Sequence, residues 1–93
     1  MAEIDYDKLL VKICKKVAKL EKKDFELFFR AFFTPSELQD FCDRYLIVKG
    51  LIEGNSQREI ATGLGVSLSK VGSGVKELKY KYGKKIFDKF IKL

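Results

Sequence analysis

The side chains best suited to chemistry in this chain are cationic, and they are unevenly placed. Residues 67–93 hold eight lysines against two acids, Glu77 and Asp88. In residues 1–66, eight lysines and three arginines are balanced by eleven acids. The whole net charge of +6 therefore begins near Ser67. A concentrated cationic face binds phosphate, because neutralising a polyanion releases its condensed counterions. Covalent and acid–base chemistry have no comparable set. There is no His, the commonest general base and metal ligand, and Cys14 and Cys42 each lack a second ligand at metal spacing. Paired carboxylates, a nucleophile elbow and a phosphate loop are also missing from the sequence. These features predict a protein that binds rather than catalyses, with no metal and no cofactor.

The cationic stretch opens inside a second pattern, Ser56 to Leu78, which reads as a helix-turn-helix. Ser56 followed three residues later by Glu59 has the spacing of a capping box, in which each residue bonds the other's backbone amide. A short helix then passes through Ile60 and Ala61. Gly65, in Leu64-Gly65-Val66, can turn the chain with positive φ at no steric cost. Ser67 can cap a second helix that carries Leu68, Val71, Val75 and Leu78. Ile60, Leu64, Val66 and Val71 are the expected core between the two helices, with Ala61 where they cross closely. Such a pair places its second helix in a DNA major groove. Ser73 and Lys76, further along that helix, are DNA-facing candidates by pattern alone. The Gly72-Ser73-Gly74 run is odd, since an interior helical glycine costs about 1 kcal/mol relative to alanine. Close approach of the backbone to DNA or a ligand, or a head that is loose until bound, would explain it.

The elements that must position this pair are helical too. Tyr6, Leu9, Leu10, Ile13, Val17 and Leu20 recur at three and four residues, predicting a first helix from Asp5 to about Glu21. Lys22-Lys23-Asp24 breaks the period. Phe25, Phe28, Phe29, Phe32 and Phe33 then form an aromatic stripe on a second helix. Each ring is worth about 1.5–3 kcal/mol when covered, more surface than one small monomer easily hides, so the stripe predicts a dimer core. Thr34-Pro35-Ser36-Glu37 marks a further boundary, with Thr34 as cap, Pro35 at the first helical position and Glu37 completing a box. The third helix runs to Glu53 before Gly54, with Leu38, Phe41, Cys42, Tyr45, Val48 and Ile52 on its main apolar face. Leu46, Ile47 and Leu51 lie on other sides. For Arg44 in this helix, an ordinary ion pair with Asp40 four residues earlier is one expectation. A last helix after Gly83 carries Ile86, Phe87, Phe90 and Ile91.

The chain is thus expected to be all-α and a single domain over residues 1–93. Residues 5–55 would supply dimerisation helices, 56–79 the helix-turn-helix and 80–93 a C-terminal helix. No apolar run approaches the roughly 18 residues of a membrane span, and Met1 to Asp7 lacks the basic and apolar regions of a signal peptide. Cys14 and Cys42 sit beside apolar helix positions, which predicts buried, reduced thiols and a cytoplasmic protein. A non-specific or architectural nucleic-acid binder using only the basic third is one alternative. A basic interaction or membrane-surface module is another. Neither explains the glycine and small-residue spacing of the helix-turn-helix.

Six helices with the helix-turn-helix as the fourth and fifth resemble the Trp repressor family. The matching residues run from about Phe33 to Lys79: Thr34-Pro35-x-Glu37, Arg44, Ile47-Val48, Leu51-x-x-Gly54, Ser56-Gln57-Arg58-Glu59, Leu64-Gly65, Gly74 and Leu78-Lys79. One residue is missing at Gly54-Asn55. The resemblance implies a six-helix fold, an intertwined homodimer and a repressor of transcription. It would bind a palindromic operator in double-stranded DNA through the helix starting at Ser67. DNA contacts carry over onto Arg58, Leu68, Ser69 and Lys70, with Gln57 and Lys79 as candidates for phosphate positioning.

The same resemblance marks a possible effector pocket at Thr34, Arg44, Ser73, Gly74 and Glu77, and here the chain departs from the family. Tryptophan-responsive members hold the indole between two arginines. Arg44 matches the first, but Ser73 replaces the second and Glu77 replaces a small hydroxyl residue. A stacking plane and a bidentate carboxylate partner are lost, and a negative charge is added. The implied corepressor, where one acts, is a small molecule other than tryptophan.

Overall fold

The computed structural model describes residues 3–80 and 82–93, with the side chains of Glu77 and Leu78 outside that description. Six α-helices follow in order: α1 Tyr6–Val17, α2 Phe25–Phe32, α3 Pro35–Ile52, α4 Gln57–Leu64, α5 Leu68–Lys79 and α6 Gly83–Ile91. A single 3-10 turn, Lys22–Asp24, leads into α2, and no strand occurs among the described residues. The all-α, six-helix expectation therefore holds. Two compact units divide the chain, Met1–Leu38 and Gln39–Leu93.

In the first unit, Asp5 caps α1 by accepting from the Lys8 amide at 3.1 Å. The helix stops at Val17, four residues short of the expected end, and Ala18, Lys19 and Leu20 turn the chain. On α2 the stripe forms as spaced, with Phe28 against Phe32 at 5.0 Å and Phe29 stacked on Phe33 at 5.7 Å. Neither α1 nor α2 contains a buried residue. Tyr6 is 73% exposed, Leu27 64% and Phe32 75%. The apolar faces read from the sequence are real, and within one chain they are uncovered. Cys14 and Cys42 are exposed, which corrects the expectation of buried thiols.

Thr34 and Glu37 close the box that starts α3. The Thr34 amide donates to Glu37 Oε1 at 2.8 Å, and the Glu37 amide donates to Thr34 Oγ1 at 3.1 Å. The Thr34 backbone hydrogen bond, followed by that of its hydroxyl, holds the Glu37 carboxyl below its ordinary value.

The second unit holds the buried core. Ile47, Ile60 and Val71 form its centre, with Leu51, Ala61, Leu64 and Val66 packed around them. All four residues expected between the helices of the pair are present, joined by Ile47 from α3. This shifts the buried side of α3. Ile47 and Gly50 are buried beside Val48 of the expected main face, whereas Phe41 and Cys42 of that face are exposed. The cause is tertiary: α4 and α5 settle on the Ile47, Gly50 and Leu51 side. A Cβ on Gly50 would lie 3.0 Å from Ile60 Cγ1, so the missing side chain is what lets α4 approach. On the other side, Tyr45 meets Phe90 of α6 edge-on at 6.0 Å. An apolar cleft of about 250 Å³ opens there, lined by Tyr45, Val48, Ile86 and Phe90 among others.

Candidate nucleic-acid interface

The candidate reading head is built from local hydrogen bonds outward. Gly54, with φ of +88°, ends α3 by placing its own amide on Leu51 O at 3.1 Å and the Asn55 amide on Gly50 O at 3.0 Å. These paired bonds satisfy carbonyls that a helix end leaves free. Two residues later Ser56 caps α4. Its amide donates to Glu59 Oε1 at 3.0 Å, and the Glu59 amide donates to its Oγ at 3.1 Å. The Glu59 carboxyl is held below its ordinary value by the Ser56 backbone bond and then by the Ser56 hydroxyl. Gln57 and Arg58 occupy the first turn of α4 and are exposed.

Gly65 turns the chain at φ of +66°, with the Val66 amide returning to Ala61 O at 3.1 Å. Ser67 then caps α5 by accepting from the Lys70 amide at 3.0 Å. The backbone handedness and both caps match what the sequence requires of the turn. On α5, Leu68 is 48% exposed, and Ser69, Ser73 and Lys76 are exposed as well. Lys79, at the end of the helix, is also exposed. The Ser73 hydroxyl donates to Ser69 O at 3.3 Å, one turn back along its own helix.

Lys70 behaves differently from the rest of this set. Its ammonium is turned towards α3, 2.9 Å from Asp43 Oδ2 and 3.7 Å from Asp40 Oδ1. The hydrogen bond that Lys70 donates to Asp43 is the main cause of its raised affinity for its proton, opposed by desolvation and helped by the charges of Asp43 and Asp40. Nothing in the local sequence identifies this pair. The two acids stand three residues apart on one helix, and the nearer in sequence, Asp43, is 27 residues from the lysine. Asp40 faces Lys70 and not Arg44, so the expected Asp40–Arg44 pair does not form, and Arg44 has no ion pair among the described residues.

The two unusual glycines of α5 have opposite surroundings. A Cβ on Gly74 would lie 2.5 Å from Ile47 Cγ2, whereas one on Gly72 would meet nothing within 4 Å. Gly74 therefore does make a close approach, but to α3 and not to the DNA or ligand expected from the sequence. Beside this contact lies a cleft of about 270 Å³ lined by Asp40, Arg44, Ile47, Lys70, Ser73 and Gly74. Three of the five expected effector residues, Arg44, Ser73 and Gly74, thus line one cavity. Thr34 belongs to the first unit, where its hydroxyl serves the α3 cap. The Glu77 side chain is outside the described residues.

No helix among the described residues is long and apolar enough to cross a membrane. Comparison with known proteins points in one direction. Residues 7–92 match the family described as Trp repressor protein. A Trp operon repressor homolog of Xylella fastidiosa (strain M23) is 38% identical over 71 residues, which is 75% of each chain. One from Chlamydia trachomatis serovar D is 38% identical over 68 residues, covering 72% of this chain and 70% of the relative. Another, from Chlamydia caviae, is 37% identical over 70 residues, 74% of this chain and 67% of the relative. No solved structure matches the chain.

Proposed function

Because this chain belongs to the Trp repressor family, it is a DNA-binding transcriptional regulator and not an enzyme, and we propose that it acts as a homodimeric repressor of the cytoplasm reading a palindromic operator. The observation that carries this reading is the exposed first turn of α5. Leu68 and Ser69 stand free at the end of a capped helix whose opposite side is anchored by the fully buried Val71. That arrangement suits a helix N-terminus entering a major groove, where apolar and hydroxyl side chains reach base edges. Arg58 and Gln57 at the start of α4, with Ser67 capping α5 and Ser73, Lys76 and Lys79 on it, would contact backbone and groove around it. Residues 1–93 work as one domain in this reading, with residues 5–55 as the dimerisation platform, 56–79 as the head and 80–93 as the closing helix.

The uncovered faces of α1 and α2 support the dimer. Exposed phenylalanines in such number need a partner surface, and a second copy supplies an equal area. Two heads held on one platform would reach successive major grooves, about 34–36 Å apart as in helix-turn-helix dimers generally. The loss of the second arginine at Ser73 supports a head that does not depend on tryptophan, so a corepressor, where one acts, is another small molecule.

Selection from a random double-stranded library tests the proposal. The expected product is a two-fold symmetric site whose affinity falls steeply with salt, because lysines displace counterions. Equal affinity for unrelated duplexes at physiological salt would instead establish the non-specific alternative that the basic C-terminal third favours.

A further inference from the structure

We propose that Asp43, with Asp40 in support, is a positioning residue that latches the recognition helix to α3 through Lys70 and so holds the reading head in place without a bound effector. The inference rests on the DNA-binding reading above and adds to it a role for two acids outside the head. Three observations carry it. First, the Lys70 ammonium donates to Asp43 Oδ2 at 2.9 Å with Asp40 Oδ1 at 3.7 Å, and the Asp43 side chain is only 24% exposed. The pair is thus partly shielded from the solvent that weakens exposed surface pairs.

Second, the latch closes at a sensitive place. Lys70 is in the first turn of α5, and its own amide already serves the Ser67 cap at 3.0 Å. Backbone cap and side-chain pair therefore act on the same residue, next to Leu68 and Ser69. Third, α5 carries two interior glycines, Gly72 and Gly74, each of which weakens a helix relative to alanine. A glycine-bearing helix needs an external tie to stay ordered, and the ion pair supplies one beside the cleft that Arg44 and Ser73 also line.

The competing role for Lys70 is a direct phosphate contact that the two acids merely hold back. The two roles predict opposite signs for the same substitution. Asp43→Asn keeps the shape and removes the charge. If the acids restrain a DNA contact, this variant binds its operator more tightly. If they position the helix, it binds more weakly, by roughly tenfold as in a typical coupling between sites.

The test uses full-length protein freed of small molecules by unfolding, dialysis and refolding, with operator affinity measured by fluorescence anisotropy and amide exchange measured on the DNA-free protein. For Asp43→Asn the expected results are weaker operator binding and faster exchange across residues 71–76. Asp43→Glu, which retains the carboxylate, should keep exchange slow. The swapped pair Asp43→Lys with Lys70→Asp should slow exchange again and bind better than Asp43→Asn, although position 70 is no longer cationic. Tighter or unchanged binding by Asp43→Asn, unchanged exchange, or a swap that restores neither property would each overturn the latch. Should the wild-type protein select no sequence, the DNA-binding reading fails, while the exchange comparison still decides whether Asp43 orders α5.

Discussion

The two glycines of α5 offer a calibrated test of its packing against α3. Alanine at position 72 meets nothing within 4 Å, so only the backbone effect operates. That effect favours alanine by about 0.5–1 kcal/mol in a helix interior. Alanine at position 74 has the same backbone gain, but its Cβ would lie 2.5 Å from Ile47 Cγ2. Carbon atoms pack best at roughly 3.5–4.0 Å, so about 1 Å of separation must be found. Ile47 is 2% exposed and β-branched, which leaves it little rotamer freedom to retreat. Overpacking of this kind costs about 1–3 kcal/mol. Gly72→Ala should therefore stabilise, and Gly74→Ala should lie about 1–3 kcal/mol below it. Thermal unfolding resolves this, since 1 kcal/mol moves Tm by about 4–8 °C in a domain of 60–100 residues. A second variant locates the cause. Ile47→Ala removes Cγ2 and leaves the Ile47 Cβ position 3.6 Å from the new Cβ, an ordinary contact, so in that background Gly74→Ala should become as favourable as Gly72→Ala. Equal stabilisation by the two alanines in the otherwise wild-type chain would refute the close-packed placement of α5.

Removal of the α4 cap by Ser56→Ala should cost about 1 kcal/mol, read as a lower urea midpoint; an unchanged midpoint would mean the box contributes nothing. Acid should act through the two capping carboxylates. Glu37 and Glu59 have folded-state affinities for protons below those of the unfolded chain, so their contribution is present above about pH 4.3 and is lost as pH falls through the folded values. Glu37→Gln with Glu59→Gln should then flatten the loss of stability between neutral and acid pH, and an unaltered slope would show that other groups dominate. L-Tryptophan should not bind at micromolar concentration. The chain has no tryptophan of its own, so a saturable change in ligand emission on titration would contradict this directly.

What could be read from the sequence was what depends on near neighbours in it. The boxes at Thr34–Glu37 and Ser56–Glu59, the turn at Gly65 and the Ser67 cap each need only residues within a few positions. The phenylalanine stripe is equally local, and its rings meet at the expected intervals. The side of α3 that becomes buried was legible only in part: Val48 lies on the expected face, whereas Ile47 and Gly50 are selected by the helices that land on them rather than by the helix's own periodicity. Lys70 shows the same limit at the candidate site. Its place at the start of α5 is written in the spacing from Ser67, but its direction depends on two carboxylates in another helix. The two glycines were identifiable as a pair that could serve a close approach, but the partner expected was DNA or a ligand, and only Gly74 makes one, to Ile47.

The bare faces of α1 and α2 have a consequence for control as well as for assembly. A chain with no buried residue in its first two helices gains little from ordering them alone. If a second copy is what covers them, stability and association become one equilibrium that depends on the amount of protein. Scarce chains would then be incompletely folded and open to proteolysis, and only above a threshold would they accumulate as functional pairs. Abundance itself would become an input to regulation, a response steeper than simple occupancy of one site and independent of any small molecule.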